Sequence, residues 1–183
     1  DSAEALIFQI ADRRLRGGLQ GMGQIVQESF ARVEAMLSGT RGVSGLATGY
    51  GRLDELTLGL QDSELILLAA RPSMGKTALA LNIAENVAIR AEEPRQVAIF
   101  SLEMSKESVL LRLLGAHANI NIHRMRSGQA TQVDAQMVTD ALGKIGGAPM
   151  SVDDVGTATV LEIAAKSRRM KREKGLSLVI VDY

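Results

Sequence analysis

From Glu64 to Ala70 the chain reads Glu-Leu-Ile-Leu-Leu-Ala-Ala, an apolar run with the length and composition of a buried strand. It breaks at Arg71-Pro72-Ser73. Apolar spacing then resumes in Thr77–Ala84, a segment of strong helix formers. Glu92-Glu93-Pro94-Arg95 ends that helix, and Gln96–Ser101 reads as a second buried strand. Ser105 is placed to N-cap a helix carrying Val109, Leu110, Leu111, Leu113 and Leu114. Thr131 with Asp134 marks a further helix start, running to about Ile145 and ended by Gly146-Gly147. A short strand is expected at Pro149–Val152, closed by the turn residues Asp153 and Asp154. Thr159 and Glu162 have capping-box spacing and open a helix that stops at Gly175. The last element is an apolar strand, Leu178–Tyr183, with Asp182 near its end. Strands alternating with helices place the chain in the α/β class, with a mostly parallel sheet.

Upstream the pattern is helical. Ala3 to about Leu15 predicts a helix with Leu6, Ile7 and Ile10, followed by Arg13, Arg14 and Arg16. Gly17, Gly18, Gly21 and Gly23 form a flexible joint. Between Met22 and Leu37, the apolar positions Met22, Ile25, Val26, Phe30, Val33, Met36 and Leu37 fall on one side of a helix. Ser38–Gly42 is a second flexible stretch, and Gly45–Leu60 reads as turns and a short helix. An amphipathic helix with glycines at both ends has two destinations for its stripe: its own domain or a neighbouring subunit.

At 183 residues the chain suits one domain with an appendage. Its formal net charge is zero, so no global basic field announces nucleic acid, and 3% aromatics leave few stacking platforms. Zero cysteines exclude disulfides and thiolate zinc sites and favour a cytoplasmic setting. His117 and His123 read as helix-end or loop histidines, and the eight methionines as core fillers. No uncharged apolar run is long enough to span a bilayer, and the acidic start at Asp1 does not read as a signal peptide.

Strand, tight loop, Gly75-Lys76-Thr77 and helix together make a phosphate-binding loop over Ala70, Arg71, Pro72, Ser73, Met74, Gly75, Lys76 and Thr77. Backbone N–H groups and the positive helix end meet a triphosphate there. Lys76 would reach the β- and γ-phosphates, and the Thr77 hydroxyl would ligate Mg²⁺. The generic pattern has Gly where this chain has Ala70. Asp182, at the carboxyl end of a strand, belongs on the same rim as Thr77 and can complete a Mg²⁺ site. Glu103 lies just beyond the second strand, where a carboxylate could deprotonate the attacking water; a surface glutamate is the alternative. Lys166, Arg168, Arg169, Lys171, Arg172 and Lys174 read as a solvated or interface face, with a nucleic-acid surface as the alternative.

Ala69–Thr77 resembles the phosphate-binding loop of bacterial replicative DNA helicases of the DnaB type, a family that itself carries Ala at the first loop position. Ser101-Leu102-Glu103-Met104-Ser105 resembles the family segment bearing the catalytic glutamate, and Val179–Tyr183 its Walker B strand. Thr48-Gly49-Tyr50, Leu53-Asp54 and the Met22–Leu37 helix fit as well, so the likeness runs essentially end to end. It implies a RecA-like P-loop NTPase core that binds ATP and Mg²⁺, with Glu103 and Lys76 as catalytic groups and Asp182 and Thr77 at the metal.

It also implies a division into residues 1–16 (tail of an N-terminal domain), 17–44 (linker) and 45–183 (first part of the ATPase domain). The linker helix would use Ile25, Val26, Phe30, Val33 and Leu37 to dock on the next subunit of a homohexamer. Translocation on single-stranded DNA, with primase and a helicase loader as partners, follows from the same likeness. In the family the remaining strands, DNA loops and arginine finger lie beyond the Walker B strand, so the chain reads as a fragment. A catalytically inert assembly or nucleotide-binding module, or a RecA-fold ATPase of another branch, are the other readings.

Overall fold

The computed structural model describes residues 20–37, 44–122, 124, 127–129 and 131–183. The expected helix at Ala3–Leu15, the Gly17-Gly18 and Ser38–Gly42 joints and His123 lie outside them. The chain divides into two compact units, Asp1–Gly42 and Val43–Tyr183.

In the first unit the described element is helix α1, Met22–Leu37. Its stripe is uncovered: Ile25, Val26, Phe30 and Val33 are all exposed, Phe30 by 63%.

The second unit begins with an antiparallel bridge between Leu46 and Leu60 that encloses the short helix α2, Gly51–Thr57. Asp54 holds this lead-in together. Its buried carboxylate accepts from the Thr48 amide at 2.8 Å, the Thr48 hydroxyl at 2.7 Å and the Gly49 amide at 3.1 Å. The Asn86 side chain then donates to the Thr48 carbonyl at 2.9 Å, tying the lead-in to the helix behind the loop. Gly49 sits at φ +80°, and a Cβ there would lie 2.5 Å from the Asn86 amide nitrogen, so no other residue fits without movement.

Helix α3, Lys76–Glu85, continues into a π-helical turn, Asn86–Arg90. Then come β1 (Gln96–Ser101), α4 (Lys106–Ala118), α5 (Gln132–Gly147), β2 (Met150–Asp153), α6 (Val160–Lys174) and β3 (Leu176–Asp182). The strands form a parallel sheet in the order β2-β1-β3. β1, in the middle, is buried along its whole length. Its two faces serve two layers. Val97 and Ile99 pack with Leu81, Ala84, Val87, Val109 and Leu113 of α3, the π turn and α4, while Ala98 and Phe100 pack with Ile163 and Met170 of α6. A continuous apolar strand is what burial on both faces requires.

The expected N-caps are present, as is the stop at Gly175. Ser105 accepts from the Ser108 amide, reciprocal capping boxes join Thr131 to Asp134 and Thr159 to Glu162, and Gly175 ends α6 at φ +75°. Four boundaries differ from the sequence reading. α5 runs through Gly146-Gly147, expected to end it, and is capped at Ala148. The helix after the loop closes in a π turn through the Ala91 amide to the Asn86 carbonyl, where Asn86 spends its side chain on Thr48. β2 takes in Asp153, whose backbone pairs with Phe100. β3 starts at Leu176, which pairs with Gln96 across a register shift.

The larger correction concerns the apolar run at 64–70. It belongs to no ladder, and it is exposed rather than buried, Leu65 by 85% and Leu67 by 80%. Apolar composition records what a strand can pack against. Burial needs neighbours, and among the described residues no strand flanks this one.

Candidate nucleotide site

Parallel strands bring their carboxyl ends to one rim, and the sheet register sets what meets there. Ser101 ends β1 opposite Asp182 at the end of β3, and the Leu102 amide extends the pairing by donating to the Asp182 carbonyl at 2.8 Å. The loop before α3 reaches the same rim. The Thr77 hydroxyl donates to Asp182 Oδ2 at 2.8 Å. Lys76 Nζ lies 3.4 Å from Asp182 Oδ1, donates to the Tyr183 carbonyl at 3.0 Å and stands 5.4 Å from the centre of the Tyr183 ring. Residues 105 to 107 positions apart thus converge, with Asp182 only 7% exposed.

The loop itself is open. Residues 70–75 are exposed, with a turn closed by the Met74 amide on the Arg71 carbonyl at 3.2 Å. Two left-handed residues, Ser73 at φ +63° and Gly75 at φ +89°, wrap the backbone around the helix end. Gly75 is the N-cap residue and supplies no side-chain acceptor, so the first amides of α3 are uncapped and face outward from the helix start. An uncapped, positive helix end beside Lys76 fits the anionic phosphates of a nucleotide. Thr77 and Asp182 offer hard oxygen donors for Mg²⁺, which takes one or two protein ligands alongside phosphate and water. The described residues contain no cluster of three or more His, Cys, Asp or Glu that could hold a metal by itself.

Glu103 is exposed in the turn after β1, one residue beyond the amide bound to Asp182. The structure therefore brings Lys76, Thr77 and Asp182 into contact and puts Glu103 on the same rim, its carboxylate making no hydrogen bond or ion pair among the described residues.

The basic residues of α6 are partly spent within the fold. Lys166 pairs with Asp153, Arg169 donates to Glu173 at 2.8 Å, and Lys171 donates to the Leu176 carbonyl at 2.9 Å. The Lys166 ammonium beside Asp153 holds that carboxyl below its usual range. Asp154, read as a turn residue, accepts from the Lys106 amide at 3.1 Å and so ties the end of β2 to the start of α4.

Sequence reasoning missed the partner of His117. The Glu85 side chain, 3% exposed, accepts from Arg90 Nε at 2.8 Å and from His117 Nδ1 at 2.9 Å. A glutamate inside an apolar helical stretch, five residues before an arginine, was the available signal. A cleft of about 650 Å³ at this end is lined by Arg90, His117, Lys144 and Pro149. It lies by the amino ends of the strands, away from the loop, and its three basic residues sit in the last turns of three helices, where they answer the helix dipoles.

The chain is 40% identical to the replicative DNA helicase DnaB of Geobacillus stearothermophilus, over all of its own length and 40% of the relative's. It is 40% identical to the replicative DNA helicase DnaC of Bacillus subtilis (strain 168), over 99% of its own length and 39% of the relative's. The chain thus spans about 40% of the curated relatives it matches. Among solved structures, one ATPase domain superposes with a TM-score of 0.78 at 31% identity, covering 86% of this chain and 56% of that one. A DnaB-like replicative helicase studied with primase gives 0.76 at 31% identity, covering 85% of this chain and 38% of that one. Both neighbours have the RecA-like α/β architecture. Residues 45–183 match the DnaB-like helicase C-terminal domain, and the chain belongs to that family.

Proposed function

We propose that the rim formed by residues 70–77, Asp182 and Glu103 binds Mg-ATP and hydrolyses it as the nucleotide-binding part of a replicative DNA helicase. The contact between Thr77 and Asp182, 2.8 Å across the sequence at an uncapped helix start, is the observation that carries this reading. Loop amides and Lys76 hold the phosphates, with Lys76 released from the Tyr183 carbonyl to do so. Mg²⁺ held by Thr77 and Asp182 would draw negative charge from the β- and γ-phosphates. Glu103 accepts the proton of the attacking water; the water oxygen bonds to the γ-phosphorus, and ADP departs with the bridging oxygen.

Residues 1–16, 17–44 and 45–183 are assigned to an N-terminal domain tail, a linker and the first part of the motor domain. The exposed stripe Ile25, Val26, Phe30 and Val33, continued by Leu37, docks on a neighbouring copy in a homohexamer. Movement on single-stranded DNA, contact with primase and a loader, and a cytoplasmic setting complete the reading. The described residues contain no helix long and apolar enough to cross a membrane.

Mg-ATP hydrolysis with and without single-stranded DNA tests the proposal. Lys76→Ala should abolish turnover, and Glu103→Gln should bind ATP normally and slow hydrolysis by about 10²–10⁴-fold. Hydrolysis unchanged in both variants would exclude the site.

A further inference from the structure

The side chain proposed as base is exposed, yet the backbone on either side of it is held. Leu102 is fixed through its amide on the Asp182 carbonyl at 2.8 Å, and its own carbonyl packs against Gly156, where an added Cβ would lie 3.3 Å away. Met104 is fixed by Ser101. The Ser101 hydroxyl donates to the Met104 carbonyl at 2.8 Å and accepts from the Met104 amide at 3.3 Å. Ser101 is 2% exposed, and this one hydroxyl serves both backbone groups of Met104. The turn is therefore closed by a buried side chain where a backbone pair would be usual, and Ser105 begins α4 directly after it.

We propose that Ser101 is the positioning residue that sets Glu103 against the nucleotide. This rests on the reading of Glu103 as the base. The physical reason is one of leverage. Ser101 is the last residue of β1 and the register partner of Asp182 on β3, so its hydroxyl refers the Glu103 turn to the strand paired directly with the one that bears the metal carboxylate. With Leu102 and Met104 both anchored, the backbone of Glu103 is restrained from both sides. Removing the hydroxyl frees the Met104 end and lets the turn swing about Leu102, and misplacement of a catalytic group by about 1 Å costs on the order of 10²-fold in rate.

The experiment is steady-state Mg-ATP turnover of the full chain with Ser101→Ala, Ser101→Thr, Glu103→Gln and Lys76→Ala, alongside amide hydrogen exchange. Ser101→Ala should lower kcat by about 10–100-fold with KM within about twofold, and Ser101→Thr, which keeps the hydroxyl, should recover most of the loss. Exchange at the Met104 amide should quicken by roughly tenfold in the alanine variant and return in the threonine one, a readout that needs no turnover. A slow Glu103→Gln beside a Ser101→Ala of wild-type kcat, or unchanged exchange at Met104, would overturn the positioning role alone. So would parallel changes in kcat and KM without rescue. Wild-type turnover in Glu103→Gln would overturn the base and with it this role.

Discussion

Removing the Lys76 ammonium should loosen the nucleotide-free rim as well as weaken phosphate binding. Asp182 is nearly buried and has two side-chain partners, the Thr77 hydroxyl at 2.8 Å and Lys76 at 3.4 Å. Breaking a fully buried ion pair costs about 3–5 kcal/mol because a charge is stranded in low dielectric, whereas an exposed pair is worth about 0–1 kcal/mol. The Lys76 side chain is 32% exposed and that of Asp182 is 8%, so water screens one partner and not the other. Thr77 continues to serve the carboxylate. Together these place Lys76→Ala at about 1–2 kcal/mol of destabilisation without nucleotide. For a unit of this size that lowers Tm by about 3–10 °C. Asp182→Asn removes the charge that needs Lys76 while keeping an oxygen for Thr77. The double variant should therefore be less destabilised than the sum of the singles, by about 1 kcal/mol. Urea unfolding of the four proteins gives the cycle directly. Additivity within about 0.4 kcal/mol would refute the argument, because uncoupled sites behave that way.

Three further outcomes follow from other parts of the molecule. Asp54→Ala should cost about 3–5 kcal/mol in urea unfolding, since it strands the Thr48 amide, the Thr48 hydroxyl and the Gly49 amide; a cost under about 1 kcal/mol would contradict that role. Phe30→Asp should shift a size-exclusion profile towards smaller species, and an unchanged profile would end the docking reading of α1. Glu162 is held below its usual 4.5 first by the hydrogen bond from the Thr159 amide and then by that from its hydroxyl. A depressed folded value means that this stability is present above 4.5 and is lost as pH falls through the folded value. The Tm gap between wild type and Glu162→Gln should accordingly close on acidification, and a gap independent of pH would oppose the assignment.

Much of this was legible in the sequence because the signals were local. β1 lies at Gln96–Ser101 as read, and the caps at Ser105, Thr131, Thr159 and Gly175 are where short-range hydrogen bonding places them. The turn at Arg71–Met74 and the helix start at Lys76 were readable because they fall in one continuous stretch, although the run before them joins no ladder. The contact of Thr77 with Asp182 could be expected from the rim rule, but its geometry depends on the β1–β3 register, which no local pattern encodes. Burial of Leu65–Leu68 was misread for a related reason: an apolar run states a requirement for neighbours, and neighbours come from elsewhere in the fold. The Glu85–His117 pair joins α3 to α4 over 32 positions and was invisible to spacing arguments. Ser101 was passed over because serine at a strand end carries no charge or periodicity to mark it.

The most direct measurement is a titration of a fluorescent ATP analogue onto this chain, with and without Mg²⁺, for the wild type and Asp182→Asn. Saturable binding that Mg²⁺ tightens is expected in the wild type, with little effect of Mg²⁺ once Asp182 is neutral. No saturable binding, or binding equally Mg²⁺-dependent in both proteins, would contradict a nucleotide site shared by Thr77 and Asp182.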